Sequence, residues 1–186
     1  KMAVYRIYPE KDSFIFSKPN VAGLYGNAGK DEILEIGGYP EPTDASIGRT
    51  DRSLIQFNTA EINSALDSKV SGPYSASVKL YLAEAGEIPS RFKIFSCPVS
   101  SSWSEGIGKR DDDPVNRTGV TWKFRKPGIE WSTLGGDFYT TGSLTGSAEF
   151  NLNSNYDLNI DVTKSINAIK SGSLVNNGFI LKLEDQ

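Results

Sequence analysis

Three tryptophans and a group of cations form the clearest candidate binding surface in the sequence. Trp103, Trp122 and Trp131 lie in one loop-rich third of the chain. An indole face stacks on the apolar face of a sugar ring, and nearby cations bind the carboxylates of uronic acids. The cations at hand are Arg110, Arg117, Lys123, Arg125 and Lys126. These residues predict a site for a glycan or a protein partner, unless the tryptophans instead pin long loops onto the fold, as buried aromatic side chains do.

A run of three aspartates, Asp111, Asp112 and Asp113, is the strongest local charge. Carboxylates in one turn can hold Ca²⁺ together with backbone carbonyl groups, because this hard cation prefers oxygen ligands. The run lacks the ligand spacing and the glycine of an EF-hand, so a solvated turn ahead of Pro114 is the favoured interpretation. We expect no cofactor, with structural Ca²⁺ as the minor alternative. Further weak calcium candidates are Asp12, Asp31 and Glu32.

The sequence contains no histidine, which narrows the catalysis that the chain can perform. Hydrolases of the Ser–His and Cys–His types, His-ligated metal sites and imidazole acid–base catalysis are all excluded. Paired carboxylates can still cleave a glycosidic bond, and the candidates are Glu105, Asp137 and Asp161. No apolar surroundings that would raise a pKa accompany them, and Asp161 sits at a strand–helix junction, where capping accounts for it. We therefore predict a protein that is not an enzyme.

Length and charge favour a single globular domain over residues 1–186. A chain of this length and apolar content suits one domain with one core. Its formal net charge of −3 provides no general positive field for nucleic acid. No apolar run approaches the roughly 20 residues of a membrane span, so we expect no membrane insertion. Cys97 is the one cysteine, and a buried, inert thiol is expected there.

Short apolar segments separated by turn residues predict an all-β fold, an antiparallel β-sandwich of jelly-roll type with two short helices. The alternation is clearest where Val78, Leu80 and Leu82 share one face. The predicted strands cover residues 4–8, 13–16, 32–36, 53–57, 75–85, 91–94, 119–124, 147–152, 158–162 and 178–183. The predicted inner faces carry Ile55, Phe57, Val78, Leu80, Leu82, Ile94, Phe179 and Leu181.

Two segments, residues 59–66 and 163–170, have helical spacing and predict short helices across the ends of the sandwich. In the second helix we expect Thr163 to act as the N-terminal cap and Gly172 to follow the last turn. Residues 100–146 are rich in Gly, Ser and Trp and show little regular pattern. Long ordered loops on a β scaffold commonly carry binding residues, so we expect the candidate surface there.

Seven short motifs occur in a specific order along the chain. They are RSLIQF at 52–57, ASVKLYL at 76–82, WSEG at 103–106, GVTWK at 119–123, Trp131 with GGDF at 135–138, IDVT at 160–163 and NNGFILK at 176–182. From about residue 8 to residue 182, this order resembles the DNRLRE-type domain, a disaggregatase-related β-sandwich found beside polysaccharide lyases, in surface proteins and in phage virions. The resemblance implies one non-catalytic jelly-roll domain, and in some members binding of alginate or other polysaccharides. Because each tryptophan falls in a motif, packing is the favoured role for all three.

Three terminal segments resemble structural proteins of large marine tailed phages. They are YRIYPEKDSFI at 5–15, DEILEIGGYP at 31–40 and NGFILKL at 177–183. This resemblance implies a capsid- or tail-associated virion component, made in the host cytoplasm, whose partners are other virion subunits and surface glycans. No signal-peptide pattern is present, and Met2 as a natural start agrees with that origin; an internal Met2 would leave room for a removed signal. The alternative is an extracellular carbohydrate-binding module for an acidic polysaccharide such as alginate, originally part of a secreted polysaccharide-degrading protein.

Overall fold

A computed structural model describes residues 4–17, 25–41, 44–83, 91–151 and 157–184. Within these ranges the chain forms ten strands and two helices. The strands are β1 (Pro9–Phe16), β2 (Gly37–Glu41), β3 (Asp44–Phe57), β4 (Ser77–Leu80), β5 (Arg91–Pro98), β6 (Phe124–Lys126), β7 (Ile129–Glu130), β8 (Gly146–Asn151), β9 (Leu158–Asp161) and β10 (Phe179–Leu183). The helices are α1 (Thr59–Ser68) and α2 (Thr163–Lys170).

An antiparallel six-stranded sheet forms the centre of the structure. Its strand order is β1-β3-β10-β5-β8, and β2 pairs with the first part of the long strand β3. Phe179 of β10 lies opposite Ile55 on one side and Pro98 on the other, so β10 joins the early and middle parts of the chain. Strands β4 and β9 form a separate antiparallel ribbon, and β6 and β7 form a small hairpin. The predicted predominance of antiparallel β-structure is confirmed.

One face of the central sheet packs against the β4–β9 ribbon and the two helices. Alternate residues of β10, Phe179 and Leu181, point to this side, as the period of two in a strand requires. The helices are amphipathic, and each buries an apolar stripe in the same core. The buried members are Ile55, Ile62, Val78, Ile94, Phe150, Leu158, Ile160, Val162, Ile166, Ile169, Leu174, Phe179 and Leu181.

The opposite face of the sheet is covered by the largely irregular chain between β5 and β8, residues 99–145. This segment, which includes the β6–β7 hairpin, is called the covering loop. Ile180, which lies between Phe179 and Leu181 in β10, points to this side and meets Trp103 and Trp131 in a second buried cluster. The complete set of buried residues there is Ile15, Leu54, Cys97, Val99, Trp103, Val120, Trp131 and Ile180. The central sheet is therefore buried on both faces, by regular elements on one side and by a long loop on the other.

Both helices lie where helical spacing predicts them, but their N-termini differ in detail. Asn58 caps α1, accepting hydrogen bonds from the N–H groups of Ala60 and Glu61 at 2.9 and 3.1 Å. The predicted cap of α2 is wrong, because Thr163 is already its first residue and its hydroxyl accepts from the N–H of Ala76 at 2.8 Å. Asp161 instead accepts from the N–H of Thr163 at 2.8 Å. That carboxylate is therefore a capping group, as the sequence indicated.

Three predicted strands are absent from the described structure. Residues 4–8 are irregular and largely exposed, with Tyr8 76% accessible, because no neighbouring strand pairs with them and pairing begins at Pro9. Residues 32–36 are irregular chain, the carboxylates of Glu32 and Glu35 bind cations, and pairing starts at Gly37. Residues 119–123 lie in the covering loop, and only Phe124 of that segment enters a strand. Alternation of apolar residues alone therefore predicted strands that do not form, because these segments have no partner strand.

Strand β4 is shorter than its alternation predicts. It ends at Leu80, and Leu82 is 42% exposed, so Leu82 is not the core residue that the pattern predicts. The partner strand β9 sets this limit, since Leu80 pairs with Leu158, the first residue of β9. Residues 84 and 85 of this predicted strand, and residue 152 of the later one, lie outside the described ranges. No helix in the described ranges is long and apolar enough to cross a membrane.

Candidate functional site

Two of the three tryptophans are interior side chains. Trp103 is 2% exposed and its indole N–H donates to the carbonyl of Asn177 at 2.9 Å. Trp131 is 5% exposed and donates to the carbonyl of Thr121 at 3.0 Å. Both rings tie the covering loop to the sheet and leave no open face for a sugar. Burial therefore gives these two residues the packing role that their motif positions favour, and the stacking alternative does not apply to them.

The candidate cations are divided between two parts of the loop. Lys123, Arg125 and Lys126 lie in or beside the β6–β7 hairpin, where Lys123 pairs with Glu130 at 3.0 Å and Arg125 donates to the carbonyl of Ser102 at 2.9 Å. Arg117 is exposed on an earlier turn of the loop. The structure therefore does not gather the predicted cations into one patch around the tryptophans.

Arg110 belongs to a separate network of charges near the start of β3. Its guanidinium binds both oxygens of Glu35 and lies over the ring of Phe14 at 5.9 Å. Arg49 bridges the same Glu35, at 2.6 Å, to Asp51, whose side chain is fully buried. This network attaches the covering loop to β3 through charge-assisted hydrogen bonds. Arg110 is therefore engaged in holding the fold.

The aspartate run forms a turn whose backbone is tied locally. Asp112 accepts a hydrogen bond from the N–H of Lys109 at 2.8 Å, and Asp111 and Asp113 are exposed. Asp31 accepts from the N–H of Arg110 at 2.9 Å, and burial raises the pKa of Asp31 from 3.8 to about 6. In the part of the chain that the structure describes, no three His, Cys, Asp or Glu side chains group to hold a metal.

Each carboxylate considered for catalysis accepts a backbone hydrogen bond. Glu105 accepts from the N–H of Asp12 at 3.1 Å and lies 3.7 Å from the ammonium of Lys30. Asp137 accepts from the N–H groups of Ser132 and Thr133 at 2.9 and 2.8 Å. These bonds, like that of Asp161 to α2, fix loops and helix ends.

A buried arginine lines a cleft on the covered face of the sheet. Arg52 lies in the middle of β3, on the same face as Leu54, and is 9% exposed. Its Nη1 donates to the carbonyl of Gly135 at 2.7 Å, and its guanidinium lies 4.9 Å from the ring of Trp122. Gly135 has φ +84°, and a Cβ there would lie 2.6 Å from the Trp122 ring. Glycine is therefore required where the loop closes over Arg52.

The cleft above Arg52 has a volume of about 470 Å³. Hydroxyl groups, one carboxylate and one aromatic ring surround it, in the side chains of Ser100, Ser101, Ser132, Thr133, Asp137, Phe138 and Thr140. Burial lowers the pKa of Arg52 from its usual value, yet a guanidinium keeps its charge at neutral pH. Nearby Cys97 is buried, and burial raises the pKa of its thiol, so this group stays neutral. The cleft thus combines a fixed positive charge with several hydroxyls.

A second feature that sequence analysis missed is the buried side chain of Asn27. Its Nδ2 donates to the carbonyls of Glu105 and Val120 at 2.6 and 2.9 Å, and its Oδ1 accepts from the N–H of Gly108 at 2.8 Å. Three distant loop segments thereby meet at one amide. The available signal was the set of glycines at positions 29, 106, 108 and 119, which permit close backbone approach.

Arg52 could also have been found from the sequence. It stands two residues before Leu54 in a strand, so the period of two places its charge on the same face as a core leucine. A charge at an inward position is a functional or structural signal, because burying it costs free energy.

The resemblances found in the sequence have no independent counterpart. In comparison with family models, curated proteins and solved structures, the chain matches none of them. The DNRLRE-type and phage resemblances therefore stay predictions, and the function is inferred from the geometry of the chain's own residues.

Proposed function

We propose that the protein is a non-catalytic attachment domain, a β-sandwich of jelly-roll type that serves as a capsid- or tail-associated component of a phage virion. The observation that carries this proposal is the hydrogen-bonded covering of one sheet face by a long loop. Hydrogen bonds from Trp103, Trp131 and Asn27 hold that loop at three points along its length. A surface that is ordered before binding loses less conformational entropy on association, which favours an assembly contact.

The engagement of the acidic side chains supports binding over catalysis. Glu105, Asp137 and Asp161 each accept a hydrogen bond from a backbone N–H group. Cleavage of a glycosidic bond by carboxylates needs two of them across one cleft. Among the described residues that line the cleft above Arg52, Asp137 is the sole carboxylate. The jelly-roll assignment is part of the proposal. The two-sided central sheet and the β4–β9 ribbon agree with it.

Exposed apolar side chains near the sheet edge supply a docking surface for other subunits. β1 is an edge strand of the central sheet, and Val4, Tyr5 and Tyr8 precede it with large exposed fractions. Edge strands and exposed apolar residues are common sites of association between chains.

Mass spectrometry of purified virions tests the virion role. Particles of the phage whose genome encodes the chain are banded on a density gradient and washed with salt before digestion. We expect the protein to follow the infectious particles in constant ratio to the major capsid protein. Its absence from banded particles, or an encoding gene placed among polysaccharide-degrading enzymes, would contradict the proposal.

The second candidate function is a carbohydrate-binding module for an acidic polysaccharide. The specific observation in its favour is the positive charge of Arg52 beneath a cleft lined by hydroxyl groups. Affinity electrophoresis in gels containing alginate, pectin or a neutral glycan tests it. We expect retardation by the acidic polymers and none by the neutral one; equal mobility in all three gels would eliminate this function. The two functions are compatible, since a virion component can hold a surface glycan.

A further inference from the structure

Arg52 differs from the half-buried Arg49 and Arg110 in having no acidic partner among the described residues. Arg49 and Arg110 share the carboxylate of Glu35, whereas Arg52 forms no ion pair with any described residue. Its neighbours are the carbonyl of Gly135 and the rings of Trp122 and Phe138, at 4.9 and 5.5 Å. Aromatic faces and one carbonyl offset only part of the cost of removing a guanidinium from water.

The guanidinium also has unused hydrogen-bond donors. Nε is enclosed and has no partner, and Nη1 donates to Gly135. Nη2 makes no hydrogen bond to a described residue, and unlike Nε it is not enclosed by other atoms. Nη2 is therefore the nitrogen that meets solvent, and Arg52 lines the cleft. A donor that carries positive charge and lies at the base of a cleft is a binding point for an oxyanion.

The walls of the cleft determine what else the ligand must carry. The hydroxyls of Ser100, Ser132 and Thr140 make no hydrogen bond to a described residue, so they are available to a ligand. Each Asp137 oxygen accepts one backbone N–H, and a carboxylate oxygen has a further lone pair that can accept from a hydroxyl. A ligand that fits these groups bears one oxyanion and several hydroxyls. The volume of about 470 Å³ has room for such a small polar group.

We propose that the Arg52 cleft binds a hydroxyl-rich oxyanion, the uronate or sulfated unit of a sugar. The oxyanion accepts from Nη2 of Arg52, while ring hydroxyls contact the serine and threonine side chains and donate to Asp137. The proposal rests on the glycan-binding part of the proposed function and is independent of the virion role, which particle composition tests separately.

Calorimetry on the full chain tests the site with defined probes. The probes are a trigalacturonate, a sulfated trisaccharide, inorganic sulfate and a neutral trisaccharide of glucose. We expect heat of binding with at least one of the two acidic sugars and none with the neutral sugar. The stronger of the two identifies carboxylate or sulfate as the natural group. Inorganic sulfate should compete with it, because it occupies the same donor. An absence of binding by both acidic sugars overturns the proposal.

A matched pair of charge variants locates the binding. Ser100→Glu places a carboxylate at the exposed wall of the cleft, and Ser71→Glu makes the same change of charge on an exposed turn between α1 and β4. We expect Ser100→Glu to weaken the acidic sugar about tenfold or more, and Ser71→Glu to leave its affinity within about twofold, since repulsion falls steeply with distance. Equal affinities in the two variants would place the binding elsewhere.

Arg52→Gln tests the guanidinium itself. Glutamine can still donate to the carbonyl of Gly135 but carries no charge, so we expect loss of acidic-sugar binding in a chain that still unfolds cooperatively. A folded variant that binds the acidic sugar as the parent chain does would overturn the proposal. If Arg52→Gln fails to fold, the comparison of Ser100→Glu with Ser71→Glu decides the question.

Discussion

Asn27 shows how much of the covering loop depends on one amide. The side chain is fully buried, and its donors and acceptor join the segments around residues 29, 106 and 120. A buried amide that makes all of its hydrogen bonds is stabilising chiefly because its loss leaves several backbone groups buried without a partner. The loop is therefore held at a point that has no regular secondary structure.

We expect Asn27→Ala to lower the free energy of unfolding by roughly 3 kcal/mol or more, because two carbonyls and two N–H groups lose their partner. Chemical denaturation measures the change. Asn116→Ala is the control. Among the described residues its side chain hydrogen-bonds only to Thr118, two residues away, and we expect a loss of about 1 kcal/mol or less. Similar losses in the two variants would refute the role assigned to Asn27.

Asp31 gives the charge network a dependence on pH. Its pKa is 3.8 in an ordinary setting and about 6 in the folded chain, so the folded state holds this proton more tightly. The free energy of unfolding therefore falls as pH rises through this interval, and the loss is complete above pH 6. Asp31→Asn keeps an oxygen for the N–H of Arg110 and removes the ionisation. We expect its melting temperature, relative to the parent chain, to rise between pH 4 and pH 7.

Glu32→Gln tests a carboxylate in the same segment whose effect on stability has the opposite dependence on pH. A hydrogen bond from Lys109 lowers the pKa of Glu32, so its stabilisation is present at neutral pH and is lost as pH falls. This variant should lose melting temperature relative to the parent at pH 7 and recover it on acidification. If both variants follow the parent chain at every pH, neither carboxylate contributes as described.

At the scale of elements, glycines set how closely the loop segments approach. A Cβ on Gly119 would lie 2.5 Å from the carbonyl carbon of Glu105 and from Cα of Gly106. These are backbone atoms of a neighbouring segment, which itself is tied to Asn27, so they cannot move aside cheaply. The loop segments thus pack with their backbones in direct contact, and this contact leaves no room for a side chain at Gly119.

We expect Gly119→Ala to destabilise the chain by about 2 kcal/mol or more through this overpacking. Gly142→Ala is the matched control, because nothing lies within 4 Å of its added Cβ. Its effect should stay within about 0.5 kcal/mol. Thermal unfolding compares the two variants, and an equal response would show that the tight approach around Gly119 relaxes freely.

At the scale of the whole molecule, the central sheet couples two different coverings. Consecutive side chains of β10 point into opposite cores, Ile180 on the loop side and Phe179 on the helix side. Detachment of the loop would expose the buried residues on one whole face of the sheet, so we expect the loop and the sheet to unfold together. The tryptophans are natural reporters, since all three lie on the loop side.

We expect denaturation curves from tryptophan fluorescence and from far-ultraviolet circular dichroism to coincide. Fluorescence follows the loop, and circular dichroism follows the sheet and helices. A fluorescence midpoint at clearly lower denaturant would mean that the loop detaches first and would contradict the coupling. Gly119→Ala extends the test, because a coupled molecule shifts both curves equally.

The sequence by itself determined the class of fold and the place of both helices. These features rest on local periodicity: a period of two in segments such as 178–183, and helical spacing in 59–66 and 163–170. The same local rule predicted strands at 4–8 and 32–36 that are absent, because a strand also needs a partner, and pairing joins residues far apart in the chain.

Only the tertiary structure decided the character of the site. The indoles of Trp103 and Trp131 are interior groups that donate to carbonyls elsewhere in the fold. The predicted cations are separated, because Arg110 binds the distant Glu35 whereas Lys123 pairs with the nearby Glu130. Arg52 acquired its cleft when the loop around Gly135 closed over β3, at a sequence distance that no local pattern spans. The residue types in the sequence limit which chemistry is possible. Long-range hydrogen bonds and burial then determine that Arg52, a cation without an acidic partner among the described residues, lies in the cleft.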